Sequence, residues 1–147
     1  MIRIETRKAL NAQILFCKLR PRYRCGIFVV NKDKETMIYN YLLNTLAVHK
    51  HTRNKEFSSI EFPNGSMIKI MQPNEFVRGY RYNGMIIDSD INDEIVKEII
   101  LPHLVSLMPY EFKDSSDTTK IIIDRPSNRL YYCSICEDDF KKRRINL

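Results

Sequence analysis

Three short runs in this chain are continuously apolar: Ile27–Val30, Met85–Ile87 leading into Asp88, and the isoleucines of Lys120–Ile123 leading into Asp124-Arg125-Pro126. Runs of this length with no polar alternation predict strands buried on both faces, as in a parallel sheet. Between them the spacing turns helical. Leu10, Ile14 and Cys17 share one face of a predicted helix over 3–19, with Phe16 and Leu19 nearby, and Pro21 ends it. A second helix is predicted over 34–48, with Asn31 and Asp33 able to cap it. Its core face is Met37, Tyr41 and Val48, beside Ile38, Leu42 and Thr45. A third is predicted over 92–107, broken or restarted at Pro102. Phe57–Phe62 and Met67–Met71 flank Pro63-Asn64-Gly65-Ser66, and Asn-Gly supplies the positive φ angles of a tight hairpin turn. Leu130–Cys133 reads as a further strand. Residues 49–55, 72–84 and 111–119 read as polar connections. The expected fold is α/β: three layers around a mainly parallel sheet with one antiparallel hairpin, in a single domain over 1–136, followed by a charged tail over 137–147.

Charge divides the chain unevenly. Residues 1–24 hold seven bases (Arg3, Arg7, Lys8, Lys18, Arg20, Arg22, Arg24) against Glu5, which is the whole net charge of +6. Residues 88–117 hold eight acids against Lys97 and Lys113. A basic arm of this kind binds phosphate backbone by releasing counterions, or else solvates a helix face. Arg7, Lys8, Arg20, Arg22 and Arg24 are the candidate nucleic-acid contacts, with Arg78 and Arg81 of the polar segment 72–84. No apolar run nears the roughly 20 residues that span a bilayer. The start MIRIETRKALNAQ is too charged for a signal peptide. The expectation is an intracellular protein with no membrane partner. Cys133 and Cys136 have the spacing of half a zinc site, and Cys17 and Cys25 would complete four sulfurs if the first helix meets the last strand. Ordinary reduced thiols are the other reading.

In an open parallel sheet, ligands sit beyond the carboxyl ends of the strands, where this reading puts Asp88 and Asp124. The order of FPNGSMIKI, VRGYRYNGMIID and an acidic helix reaching Leu101-Pro102-His103-Leu104 resembles the ATPase domain of the phage terminase large subunit. The likeness extends over residues 3–132: the first helix would follow that family's phosphate loop, and GIFVVNKDKET would be its next strand and helix. The resemblance implies a truncated P-loop NTPase core with Asp88 at the magnesium position. It also implies that Met1 falls just after the expected place of the loop.

The departures are equally specific. No G-x-x-x-x-G-K-S/T occurs in the chain, so no glycine-rich backbone cradles phosphate. Ser89 stands where the family has a glutamate that polarises water, and serine is no base at neutral pH. Asp124 replaces the hydroxyl residue of the coupling motif. Mg-ATP hydrolysis by this chain alone is therefore not expected. Three readings follow: a non-catalytic relative that binds DNA or a protein, a viral accessory protein that blocks a host or defence enzyme through its acidic face, or one part of a split packaging ATPase. In the last, a strand missing beside Asp88 leaves the sheet closed up or leaves an open edge, which would also serve a homo-oligomer.

Overall fold

The computed structural model describes residues 2–46, 50–73, 81–104 and 129–140. They build a seven-stranded sheet from β1 (Ile2–Arg3), β2 (Arg24–Phe28), β3 (Lys50–Arg53), β4 (Phe57–Glu61), β5 (Met67–Met71), β6 (Gly84–Asp88) and β7 (Leu130–Cys133). The spatial order is β1-β7-β6-β2-β5-β4-β3. Four pairings, from β1 through to β5, are parallel. The α/β class and the dominant parallel sheet match the apolar runs: Ile27 and Phe28 of β2 and Met85, Ile86 and Ile87 of β6 have no exposed surface. Each such side chain contributes roughly 1.5–3 kcal/mol by leaving water.

Helices cover both faces. Helix α1 (Thr6–Leu19) and helix α2 (Lys32–Thr45) pack Leu10, Ile14, Cys17, Ile38 and Leu42 against Ile27, Ile70 and Ile86. On the other face Phe28, Met85 and Ile87 meet Ile91, Val96 and Ile100. Strand alternation makes this division: Ile86 faces one layer while its neighbours face the other. One buried polar link ties the layers. Gln13 of α1 donates to the Arg129 carbonyl at 2.9 Å and accepts from the Tyr23 hydroxyl at 2.8 Å. Gly84 lies under this pair, and a β-carbon there would collide with both side chains.

Several elements differ from the expectations. Residues 50–53 are a strand, not part of a loop: β3 pairs antiparallel with β4, so the hairpin becomes a three-stranded antiparallel unit. All four β3 residues are exposed, and its charged sequence suits an outermost strand better than a buried one. The third helix is a relay. Asn92 caps α3 (Asp93–Ile95), a π turn spans Val96–Ile100, and a 3₁₀ turn spans Leu101–His103. Pro102 has no N–H for the Glu98 carbonyl, so the ladder widens before it. The first helix begins at Thr6, because Ile2–Arg3 pairs with β7. Leu19 is 48% exposed, not core. Helix α2 buries Glu35, Ile38, Tyr39 and Leu42, a face rotated from the expected one, and Thr45 is exposed. Strand β2 starts at Arg24 and ends at Phe28.

Strand β6 has a hydrogen-bonded neighbour on each side, β7 and β2, so no gap exists beside Asp88 and the sheet is closed there. Among the described residues the outermost strands are β1 and β3. Residues 137–140, expected as the start of a tail, form a 3₁₀ turn packed on α1 and α2, with the Phe140 and Tyr41 rings 5.4 Å apart. The expected strand Lys120–Ile123, Asp124, the segment 111–119, Val48, and residues 141–147 lie outside the described residues. No helix among the described residues is long and apolar enough to cross a membrane.

Candidate functional site

The carboxyl end of β6 delivers Asp88 where the sequence puts it, but into an internal ion pair. Its carboxylate has no exposed surface. Lys34 of α2 sets its ammonium on both oxygens, at 3.1 and 2.9 Å. The Val30 and Asp90 N–H groups, each at 3.2 Å, donate to the same carboxylate. Lys34 reaches Asp90 as well, at 2.8 Å. Partial burial works against its charge, yet the hydrogen bonds to Asp90 and Asp88 outweigh that and raise Lys34 above its usual 10.5. The lysine thus supplies, from within the chain, the positive charge that a buried carboxylate needs. Asp88 caps no helix; Asn92 does that for α3.

Beside this pair lies a cavity of about 370 Å³, lined by Glu5, Thr6, Ser89, Cys133, Ser134 and Asp139 among others. It sits where the elements after β1 and β6 depart to opposite faces, the position a ligand takes in open α/β sheets. Here the chain fills the helix start itself. Thr6 donates its hydroxyl to Asp139 at 3.0 Å, the Cys136 N–H donates to the same oxygen at 2.8 Å, and Arg7 donates to the Asp139 carbonyl. Asp139 therefore places a carboxylate at the electropositive end of α1. Burial, then the charges of Asp139 and Asp88, pushes the Cys133 thiol up to about 12, so it stays protonated at neutral pH and is no thiolate nucleophile.

The four cysteines do not converge. Cys25 pairs in register with Gly84 at one end of β6, and Cys133 pairs with Asp88 at the other, roughly 13 Å along the strand at about 3.3 Å per residue. Cys17 and Cys25 are buried thiols held protonated by desolvation, while Cys136 is exposed. The zinc site expected from Cys17, Cys25, Cys133 and Cys136 is not formed, and no other cluster among the described residues has three metal-binding side chains.

The basic residues separate into two places. Arg7 is at the carboxyl end of the sheet, engaged with Asp139 and over the Tyr41 ring. Lys8 is exposed on α1, and Arg20 is buried. Arg22 and Arg24 emerge at the opposite, amino end. Arg81 joins them from far along the sequence: the Arg24 N–H donates to the Asn83 side chain and the Asn83 N–H to the Arg24 carbonyl, both at 2.8 Å. Lys18, Arg22, Arg24 and Arg81 are all exposed there, with Lys50 one end of the cross-strand row Lys50, Glu61, Met67, Arg24. Arg78 lies outside the described residues.

No family model, curated protein or solved structure matches the chain. Pattern reading missed two residues that dominate the carboxyl end. Lys34 carried a signal: a lysine in the first turn of a helix opposes the helix dipole and needs an anion nearby. Asp139 carried none, because its partner Thr6 is 133 residues away.

Proposed function

We propose that this chain is a non-catalytic relative of the terminase large-subunit ATPase core that binds nucleic acid along the phosphodiester backbone. The observation that carries the reading is the separation of charge across the sheet. Exposed Lys18, Arg22, Arg24 and Arg81 gather at the amino end, whereas at the carboxyl end near β1, β7 and β6 the exposed Glu5, Asp90, Asp93, Glu94 and Asp138 are acidic, the exposed Arg53 and Lys55 of that end lying away from them by the outermost strand β3. A phosphate backbone is attracted to the first and repelled by the second.

The absence of catalysis rests on chemistry rather than on sequence likeness. A magnesium ion at Asp88 would have to displace the Lys34 ammonium from both oxygens. A phosphate at the start of α1 would have to displace Asp139. Ser89 provides no base for water.

Neutralising four phosphates gives a salt slope of about −3.6 in log–log form, at about −0.9 per contact. Fluorescence anisotropy with labelled DNA between 50 and 200 mM salt measures it. The expected result is binding that weakens steeply with salt and is lost in the triple variant Arg22→Ala/Arg24→Ala/Arg81→Ala, while Lys8→Ala is nearly silent. No binding at 50 mM salt, or a triple variant that binds like the parent, refutes the reading. A second reading draws on the acidic end, whose exposed Asp90, Asp93, Glu94 and Asp138 fit the basic groove of a protein partner. It gains if no nucleic acid binds and if reversing those four charges abolishes capture by a purified host or defence protein.

A further inference from the structure

Among the described residues one side of the sheet ends at β3, and there backbone groups face outward. All four residues of β3 are exposed, as are Asn54, Lys55 and Glu56 of the turn that follows. The Asn54 N–H donates to the Phe57 carbonyl at 2.9 Å. In an antiparallel ladder every second residue points its N–H and C=O at its neighbour. Thr52 and Lys50 therefore bond to Ser59 and Glu61, and His51 and Arg53 turn theirs away from the sheet. An edge of this kind is a template for another extended chain.

Side chains hold this edge in place. The Tyr39 hydroxyl meets His51 Nδ1 at 2.8 Å. Arg53 lies over the Tyr39 ring, 5.6 Å from its centre, and donates to the Thr36 hydroxyl. In the turn, the Asn54 side chain accepts from the Glu56 and Phe57 N–H groups at 2.8 and 3.1 Å, and Lys32 donates to the Asn54 carbonyl at 3.1 Å. The two residues whose backbone faces outward are thus the two that α2 anchors. A docking strand then finds its template already ordered, which lowers the cost of binding.

Charge selects the occupant. In the exposed run 50–56, Lys50, Arg53 and Lys55 stand against Glu56, and Glu61, across from Lys50, is half-buried. Charge on an edge strand ordinarily guards it against self-pairing. A second copy is disfavoured in this way, because antiparallel registers within β3 set Arg53 against His51 or against another Arg53. Opposed like charges destabilise a strand pair, and opposed unlike charges stabilise it. A peptide also supplies donors for the outward carbonyls, which a phosphodiester backbone does not.

We propose that the outer edge of β3 is a docking strip for an extended acidic segment of a partner protein, which adds to the sheet as a further strand. The strip is separate from the amino-end rim of Lys18, Arg22, Arg24 and Arg81, and the proposal does not depend on nucleic-acid binding there.

The test uses a labelled, end-capped peptide of about eight residues that alternates glutamate and valine, read by anisotropy. It should bind about tenfold tighter than its lysine–valine counterpart. N-methylation at every residue keeps the charge and removes the donors, and should abolish binding. Thr52→Glu/Lys55→Glu changes two exposed side chains. It should melt like the parent, bind the acidic peptide about tenfold more weakly and leave DNA binding unchanged. Arg22→Ala/Arg24→Ala/Arg81→Ala should hold the peptide nearly as the parent does. No binding of the acidic peptide overturns the proposal, as does equal binding of the lysine or N-methylated peptide. So does Thr52→Glu/Lys55→Glu that binds the peptide like the parent. Loss of DNA binding in that variant as complete as its loss of peptide assigns the strip to nucleic acid and also overturns the proposal. If DNA does not bind and the peptide results hold, only the nucleic-acid reading falls.

Discussion

Replacing Lys34 by methionine isolates the pair at the carboxyl end of the sheet. Methionine keeps most of the side chain's length and apolar bulk but removes the charge. At 2.9 Å and an effective dielectric constant of about 20, the attraction between Lys34 and Asp88 is gross about 6 kcal/mol. Desolvation of both groups offsets much of that in the parent, so the pair itself adds little net stability. The variant is different, because Asp88 stays fully buried with only the Val30 and Asp90 N–H groups to balance its charge. Removing one partner of a buried pair costs about 3–5 kcal/mol. Lys34 retains 12% exposure, which admits some water, so about 3 kcal/mol is the expected loss. In a chain of 147 residues that lowers the melting midpoint by roughly 6–12 °C. Loss of the contact to Asp90 adds little, since that carboxylate is 63% exposed. Calorimetry at pH 7 measures the loss, and Lys34→Met/Asp88→Asn completes a double-mutant cycle. The double variant should recover most of the loss, because neither charge remains. A single variant that loses less than about 1 kcal/mol, or a double variant no better than the single, would refute the claim that Lys34 is the internal counter-ion of Asp88.

Three further outcomes follow. Ser66→Ala removes two buried hydrogen bonds, the one it donates to the Arg20 carbonyl and the one it accepts from the Tyr23 N–H, and leaves those groups only their longer contacts with each other and with Asn64, so urea unfolding should show a loss of about 1–3 kcal/mol; a loss below about 0.5 kcal/mol contradicts it. Because the folded state raises Lys34 above 10.5, its contribution is complete below pH 10.5 and is lost as pH rises through the folded value. Melts between pH 8 and 11.5 should show this alkaline loss in the parent and a smaller one in Lys34→Met. A thiol reagent at pH 8 should react quickly with Cys136 alone in the native protein, reaching Cys17, Cys25 and Cys133 only after denaturation; fast reaction of a second thiol would show that one of the buried sulfurs is accessible.

The sequence by itself determined the elements whose signal is local. Met85–Asp88 is a strand because three consecutive apolar side chains, Met85, Ile86 and Ile87, suit burial on both faces, and it is one. Pro63-Asn64-Gly65-Ser66 turns because Gly65 accepts a positive φ, and it does. Leu130–Cys133 is likewise a strand over the expected span. Strand β3 was illegible because Lys-His-Thr-Arg has no apolar period, and its pairing with β4 supplies the order that its side chains do not. The π turn before Pro102 was legible only as a break, since its geometry depends on burying Val96 and Ile100.

The candidate site divides along the same line. Asp88 at a strand end follows from pattern alone. What Asp88 does depends on a lysine 54 positions away, and the helix start near it on an aspartate from the last turn. The amino-end rim is similar: Arg22 and Arg24 belong to a basic arm visible in the chain, but Arg81 reaches them only because β2 and β6 pair in register. Side-chain spacing dictates whether a segment curls or extends, because that depends on neighbours within a few residues. It carries no information on which strand lies beside which, and charge compensation acts over a few ångströms in space. Only the tertiary structure could turn a magnesium-like aspartate into half of an internal ion pair, and a scattered set of arginines into a rim.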